Sequence, residues 1–324
     1  MNSSDIIDIK NAVEKPVGRF APSPSGRMHL GNVMTALLSW LSVRSRGGRW
    51  ILRIEDLDPQ RSKLEYARQI EDDLLWLGLE WDEGGIDGVG ENGPYCQSKR
   101  HGFYERALSR LFEAGAVYSC TCRRADIMAT QAPHASDGRI VYGGRCRPAV
   151  RPPFGGILKD NAAVRLFVPD EDVVFSDGIC GHQCINLAKE CGDFVLRRAD
   201  GAWAYQLAVV TDDAAMGVTE VLRGNDLLLS AAQQIYLYRL LDYRIPEYVH
   251  TPLLCNVAGQ RLSKRDASMS MEALRSAYSP EEVIGRAAHA AGLISEYRPV
   301  GAHELIPIFS IDSITHCPNV QTNF

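Results

Sequence analysis

Two loops contain residues that could hold the phosphates of a nucleotide. The first is GRFAPSPSGRMHLG, residues 18–31, where Arg19, Ser23, Ser25 and His29 surround a turn rich in proline and glycine. Small residues at a strand-to-helix turn let the backbone approach an anion, and the free N–H groups of the helix start face it. Alone, the stretch matches no Walker or dinucleotide fingerprint, so a proline-stiffened connection is an equal alternative.

The second loop is strongly basic. The segment RLSKR, residues 261–265, places three cations and a serine within five positions, shortly after Gly259. A basic loop can clamp triphosphate oxygens as charge builds in an in-line displacement, whereas a solvated turn does not need such a density of cations. The second loop therefore favours a nucleotide site over a purely structural turn.

Strands and helices must position these loops. VGRFAP and RWILRIEDLD have the apolar character of buried strands, and helical spacing follows each of them in NVMTALLSWLSVRSR, with Asn32 as N-cap, and in LEYARQIEDDLLWLGL. A third amphipathic helix is predicted from Ser98 to Gly115. Alternating strands and helices predict a parallel sheet with right-handed crossovers.

The pattern changes between residues 118 and 192, which are rich in cysteine, proline, glycine and arginine. The stretch AAVRLFVPDEDVVFSDGICG alternates like an antiparallel hairpin, so we interpret residues 118–192 as an insertion. Buried strands are predicted again in YQLAVVTDD and GVTEVLRG, followed by the helical segments LLLSAAQQIYLYRLL and SPEEVIGRAAHAAGL. The first half of the parallel-sheet domain is then 1–117 and its second half 193–250, with a basic-loop and truncated helical region at 251–324.

Four side chains of the insertion could bind a metal. Cys120, Cys122 and Cys146 supply thiolates, and the Tyr142 phenol oxygen could complete a tetrahedral structural zinc site. His134 is the alternative fourth ligand, and buried unligated thiols are the alternative to any metal. Nine cysteines with uneven spacing argue against a secreted disulfide framework.

Composition limits the partners. The formal net charge of -5 means that a nucleic acid would be held by a local basic patch and not by the overall field. No apolar run approaches the roughly 18 residues that a membrane span needs, and the first residues lack a basic region followed by an apolar block. We therefore expect a cytoplasmic chain without a membrane partner. A monomer is a separate expectation that composition does not determine.

The two loops together resemble the paired signatures of class I aminoacyl-tRNA synthetases. FAPSPSG with HLG forms one signature and LSK the other, while GRFAPSPSGRMHLGN, RIEDLDPQR, YCQSKR, YQLAVVTDD and VLRGNDLL resemble the glutamyl group in particular. Two positions depart from the usual forms: Asn32 stands where a second histidine is frequent, and Arg261 where lysine is usual. The resemblance covers residues 17–270 and implies an α/β, Rossmann-like parallel-sheet catalytic domain with a small zinc-containing insertion and a short helical C-terminal region.

The resemblance implies that a glutamate carboxylate attacks the α-phosphorus of ATP, with Mg²⁺ accompanying the nucleotide. His29 and Lys264 are then the catalytic phosphate contacts, and the implied ATP contacts are His29, Gly31, Asn32, Ser263 and Lys264. Guanidinium groups suit the two carboxylates of glutamate, and an acid suits its ammonium. The implied glutamate contacts are Arg19, Phe20, Ala21, Pro22, Ser23, Glu55, Tyr205 and Arg223.

The residues after Arg265 are too few for a helical anticodon-reading domain. This shortness resembles the truncated paralogues of the glutamyl group, which attach glutamate to queuosine in the anticodon of tRNA(Asp) and carry zinc on the Cys, Cys, Tyr, Cys set. Residues near the insertion are candidate RNA-backbone contacts: Arg123, Arg124, Arg145 and Arg147. Charging of a tRNA 3′ end and a non-catalytic zinc-containing RNA-binding protein remain the alternative functions.

Overall fold

The computed structural model describes residues 15–123, 141–151, 158–255, 269–316 and 319–321. Its strands are β1 (Val17–Phe20), β2 (Arg49–Leu52), β3 (Glu83–Gly84), β4 (Val117–Cys120), β5 (Ala163–Leu166), β6 (Asp172–Asp177), β7 (Gly181–Asn186), β8 (Val195–Arg197), β9 (Glu220–Gly224), β10 (Glu247–Thr251), β11 (Leu253–Cys255) and β12 (Asn319–Gln321). Its helices are α1 (Leu30–Arg44), α2 (Leu64–Trp76), α3 (His101–Glu113), α4 (Leu187–Glu190), α5 (Tyr205–Ala215), α6 (Leu228–Leu240), α7 (Met271–Ala277) and α8 (Pro280–Ala291).

A parallel sheet lies at the centre of the fold. Strands β1, β2 and β3 pair in parallel, and β9 pairs in parallel with β10, which continues to β6. Val17 and Thr219 join the two groups, because Thr219 N–H donates to the Val17 carbonyl and the Thr219 hydroxyl accepts from Val17 N–H, each at 2.9 Å. The chain proceeds to opposite sides from β1 and from β9, so the topological switch point lies between these two strands. The predicted α/β fold with a parallel sheet is confirmed.

Helix α1 is the apolar centre of the fold. It packs against β1, β2, β9 and α8, and nearly all of its side chains from Leu30 to Val43 are buried. Gly18 in β1 permits close packing, because a Cβ there would lie 2.7 Å from Val43 Cγ1. The helix begins at Leu30 with His29 as N-cap, so the expectation that Asn32 is the N-cap was wrong.

The segment YQLAVVTDD is helix α5 and not the expected strand. Residues 207–213 are buried on every side of this helix. Its apolar run, residues 207–210, is too short to show a periodicity that separates a buried helix from a buried strand, which explains the error.

The expected hairpin also pairs differently. Strand β5 lies between β4 and β8 in a small antiparallel sheet, whereas β6 pairs antiparallel with β7. Strand β6 thereby extends the central sheet beside β10. Alternation predicts strands but not their partners, because pairing depends on segments distant in sequence.

Helices α7 and α8 and the 3₁₀ segment Ala302–Ile308 follow the basic loop, and α8 and this segment pack on α1. No helix in the described ranges combines the length and the apolar character needed to cross a bilayer.

Candidate active site

A cleft of about 460 Å³ opens at the carboxyl ends of β1 and β9, beside the start of α1. This is the switch point of the sheet, where ligands bind in open α/β folds. Every predicted glutamate contact and three predicted ATP contacts line it: Arg19, Phe20, Ala21, Pro22, Ser23, Glu55, Tyr205, Arg223, His29, Gly31 and Asn32. The other two predicted ATP contacts, Ser263 and Lys264, lie outside the described residues.

His29 caps the N-terminus of α1 and also lines the cleft. Its Nδ1 accepts the N–H of Gly31 at 3.1 Å, while its own backbone N–H donates to Asn32 Oδ1 at 3.1 Å, which completes a capping box. A neutral imidazole whose Nδ1 accepts carries its proton on Nε2, so that nitrogen is a donor. A Cβ on Gly31 would lie 3.0 Å from His29 Cε1, a tight contact, so glycine at this position favours the close approach of the imidazole.

A buried ion-pair network supports Arg19 and Glu55. Arg53, fully buried after β2, donates to Asp213 Oδ1 at 2.5 Å and to Glu55 Oε1 at 3.1 Å. Arg19 Nε lies 3.5 Å from the same Asp213 oxygen, and its Nη1 is 3.4 Å from the Leu222 carbonyl oxygen. Burial raises the pKa of Glu55, and the charges of Arg53 and Arg19 oppose that rise. One acid thus orients two arginines, one of which holds Glu55 at the cleft.

Helix α5 links this network to the rest of the core. Its first residue, Tyr205, lines the cleft, and Asp213 lies two turns further along the helix. The neighbouring Asp212 accepts from Arg100 Nε at 2.5 Å and from the Tyr104 hydroxyl at 2.9 Å. Burial raises the pKa of the Tyr205 phenol, so its hydroxyl keeps its proton and can donate.

Arg223 is held differently from Arg19. It is 4% exposed, and among the described residues it donates to three neutral acceptors: His250 Nε2 at 3.1 Å from Nε, Gln234 Oε1 at 2.8 Å from Nη1, and the Leu227 carbonyl oxygen at 3.3 Å from Nη2. These contacts use three of the five guanidinium N–H groups. One N–H on each terminal nitrogen remains, which is the fork that grips a carboxylate.

Sequence reasoning missed several supporting residues of the site: Arg53, Asp213, Gln234, His250 and Asp177. A signal existed for Arg53, because it stands two positions before Glu55 in RIEDLD and residues i and i+2 of an extended chain point the same way. Asp213 was in a quoted motif, but its assignment to a strand concealed its position. Nothing local marks the other three.

The three cysteines predicted as metal ligands form a cluster in which all Sγ atoms lie within 4.8 Å of one another. The Tyr142 hydroxyl lies 3.5 Å from Cys120 Sγ and 3.7 Å from Cys122 Sγ, and Cys122 Sγ is 3.5 Å from Cys146 Sγ. Tetrahedral zinc with bonds of about 2.0–2.3 Å separates its ligand atoms by about 3.5–3.8 Å. These three separations match those of a zinc site, and the cysteine cluster could hold a metal ion. His134 lies outside the described residues.

The local electrostatics favour a thiolate in this cluster. Burial raises the pKa of Cys146, but the N–H of Thr121 and the Cys122 thiol outweigh it and lower the pKa to about 6. Arg165 stacks on the Tyr142 ring with its Cζ 3.8 Å from the centroid. Thiolate is the form of cysteine that binds metal.

The predicted RNA contacts separate into two groups. Arg123 and Arg145 are exposed. Arg147 pairs with Asp193, donates to the Val168 carbonyl at 2.8 Å and stacks over Phe167, so its guanidinium is engaged within the protein. Arg124 lies outside the described residues.

Known proteins resemble this chain in sequence and in fold. Residues 16–306 match the family described as tRNA synthetases class I (E and Q), catalytic domain. Two relatives named Glutamyl-Q tRNA(Asp) synthetase are 48% identical, in Symbiobacterium thermophilum, and 44% identical, in Nitratidesulfovibrio vulgaris, each over 307 residues. The alignments cover 93% and 94% of this chain and 94% of each relative.

A solved structure agrees. The glutamate tRNA ligase from Elizabethkingia meningosepticum, in complex with its amino acid, superposes with a TM-score of 0.80 and 28% identity, covering 95% of this chain and 67% of that one. The glutamate-tRNA synthetase of Elizabethkingia anophelis gives 0.81 and 27%, over 96% and 68%. This chain therefore belongs to the catalytic-domain family of the class I tRNA synthetases for E and Q, and it is an enzyme of the ligase class.

Proposed function

We propose that this enzyme activates L-glutamate with ATP and transfers the glutamyl group to queuosine in the anticodon of tRNA(Asp). The observation that carries the proposal is one cleft containing two arginines, a carboxylate and a helix N-terminus. Glutamate needs cations for two carboxylates and an anion for its ammonium. Arg19 and Arg223 meet the first need, and Glu55 meets the second.

Charge balance explains the choice of glutamate over glutamine. Arg19 and Arg53 share Asp213, and Arg53 also pairs with Glu55, whereas Arg223 contacts neutral acceptors among the described side chains. Its charge is therefore available to a carboxylate, and a neutral amide would leave a desolvated guanidinium poorly matched. A site built around a buried polar group rejects the wrong group by more than a missing methylene would allow.

Activation joins a glutamate carboxylate oxygen to the α-phosphorus and releases pyrophosphate. The protein accelerates this step by positioning and by stabilising charge. The Nε2–H of His29, at the start of α1, donates to a phosphate oxygen, with Gly31 and Asn32 beside it, and Ser263 and Lys264 contact the phosphates from the basic loop. Mg²⁺ bound with ATP supplies further neutralisation of phosphate charge.

The proposed acceptor rests on the relatives, which are named Glutamyl-Q tRNA(Asp) synthetase and match along most of their length. We propose that Cys120, Cys122, Tyr142 and Cys146 hold one structural zinc ion, whose binding would stabilise a segment poor in apolar residues. Arg123 and Arg145 would contact the RNA backbone, so binding should weaken as the salt concentration rises.

The test is transfer of labelled glutamate to tRNA(Asp) with and without queuosine. Incorporation into tRNA(Asp) that requires queuosine supports the proposal. Label on the 3′ end of tRNA(Glu) would instead favour ordinary charging, the function named for the two solved structures. Absence of pyrophosphate exchange with glutamate, ATP and Mg²⁺ would contradict glutamate activation itself.

A further inference from the structure

A buried hydrogen-bonded chain runs behind Arg223, across three neighbouring parallel strands. His250 in β10 is in register with Arg223 in β9, and Asp177 ends β6 on the other side. The side chains of Asp177 and His250 are fully buried. His250 Nδ1 lies 2.6 Å from Asp177 Oδ2, and His250 Nε2 lies 3.1 Å from Arg223 Nε.

The chain fixes the tautomer of the imidazole. Arg223 Nε–H can only donate, so His250 Nε2 must be the acceptor, and the proton of a neutral ring is then on Nδ1. The Asp177 carboxylate accepts that proton. Tyr248 stacks on the His250 ring with centroids 5.9 Å apart and planes within 9°, which holds the ring plane.

The backbone fixes the Asp177 carboxylate in turn. Its Oδ1 accepts three backbone N–H groups: those of Ile179 at 3.1 Å, Cys180 at 2.8 Å and His250 at 3.1 Å. Oδ2 is therefore the oxygen directed at the ring. The hydrogen bonds thus fix the orientation of Asp177 and of His250. The series ends on the guanidinium of Arg223, which lines the cleft.

We infer that Asp177 and His250 are positioning residues for substrate recognition, which aim the two remaining N–H groups of Arg223 at a substrate carboxylate. The inference rests on the proposed function, in which that carboxylate belongs to glutamate. Neither residue lines the cleft, so they act through Arg223. Because the imidazole is neutral, it orients the guanidinium without cancelling its charge by direct contact.

The variant Asp177→Asn tests the tautomer. Its amide oxygen must take the Oδ1 position to satisfy the three backbone donors, which places its NH₂ against His250 Nδ1. The ring must then accept at Nδ1 and carry its proton on Nε2, directly facing the Nε–H of Arg223. Two opposed donors repel each other, which displaces the guanidinium; an Asp→Asn change in a serine-protease triad likewise imposes the wrong tautomer on its histidine.

We expect Asp177→Asn to raise the KM for glutamate about 10- to 150-fold, the range for losing one hydrogen bond to a charged group, with the KM for ATP unchanged. In His250→Gln, the amide oxygen can still accept from Arg223 without any proton on a ring, so the glutamate KM should stay within about threefold. Adding Asp177→Asn to His250→Gln should have little further effect, which a general loss of stability would not reproduce. Asp172→Asn, an exposed position on the same strand, is the matched control.

Pyrophosphate exchange with glutamate and ATP provides the measurement, and thermal unfolding confirms that each variant is folded. A wild-type glutamate KM for folded Asp177→Asn, equal rises in the KM for both substrates, or an undiminished Asp177→Asn effect in the His250→Gln background would each overturn the inference. Failure of the wild-type enzyme to exchange at all would instead overturn the proposed function, so the two failures are distinguishable.

Discussion

Replacement of Arg223 by lysine separates the charge of this residue from its geometry. Lysine keeps a cation at the cleft but loses the planar fork, so one of two hydrogen bonds to the substrate carboxylate is lost. A hydrogen bond to a charged group contributes about 1.5–3 kcal/mol, which corresponds to about a 10- to 150-fold rise in the KM for glutamate. Arg223→Gln removes the charge as well and should cost more than the lysine variant.

The folded state also changes, because His250 Nε2 loses its Arg223 donor and Gln234 Oε1 keeps only the Tyr248 hydroxyl, at 3.4 Å. A buried acceptor without a partner costs about 1–3 kcal/mol, so the melting temperature of Arg223→Lys should fall by several degrees. Assays are therefore run well below that temperature. Arg198→Lys is the matched control, since Arg198 is exposed and pairs with Asp200 at 2.6 Å.

Pyrophosphate exchange at varied glutamate and at varied ATP concentrations measures the effect. We expect the glutamate KM to rise in the order Arg198→Lys, Arg223→Lys, Arg223→Gln, while the ATP KM stays nearly constant. An Arg223→Lys enzyme with the glutamate KM of the control, or with both KM values raised equally, would refute the assignment of Arg223 to a glutamate carboxylate.

Three further predictions concern the helix start, the cysteine cluster and pH. His29→Asn should retain the stability of the wild type because asparagine is a good N-cap, whereas His29→Ala should lose about 1 kcal/mol in urea unfolding. Both variants should slow adenylate formation. A fully active His29→Asn enzyme would exclude a contact between His29 and the phosphates. Cys122→Ser should abolish stoichiometric zinc binding in the purified protein, and a chelator should speed amide exchange in Val117–Cys120 before the central sheet opens. Loss of zinc from the exposed Cys184→Ser control as well would contradict the assignment of zinc to the Cys120, Cys122 and Cys146 cluster. Burial lowers the pKa of His250 in the folded protein, so below about pH 6.5 the unfolded chain takes up a proton that the folded chain does not. The free energy of unfolding therefore decreases as the pH is lowered. Urea unfolding of His250→Gln between pH 7.5 and 5.5 should show a shallower loss, by up to about 1.4 kcal/mol per pH unit, and identical slopes would mean that His250 is not held neutral.

Local sequence determined the elements around the first loop. The strand at Val17–Phe20, the helix after it and the turn between them follow from apolar periodicity and from proline and glycine, and their order predicts the parallel sheet. The motifs also identified residues that line one cleft, although they lie as far apart in sequence as Arg19 and Arg223. Such motifs can be recognised from the sequence alone because each is a short segment that carries its own chemical groups.

Only the tertiary structure decided how these side chains are held. Its sequence does not distinguish α5 as a buried helix from a buried strand, and only the structure reveals the helix that places Tyr205 and Asp213 two turns apart on one element. The pairing of β6 with β10 brings Asp177 to His250, and the register of β10 with β9 brings His250 to Arg223. These contacts depend on strand neighbours separated by tens of residues, and no local propensity encodes which strands become neighbours.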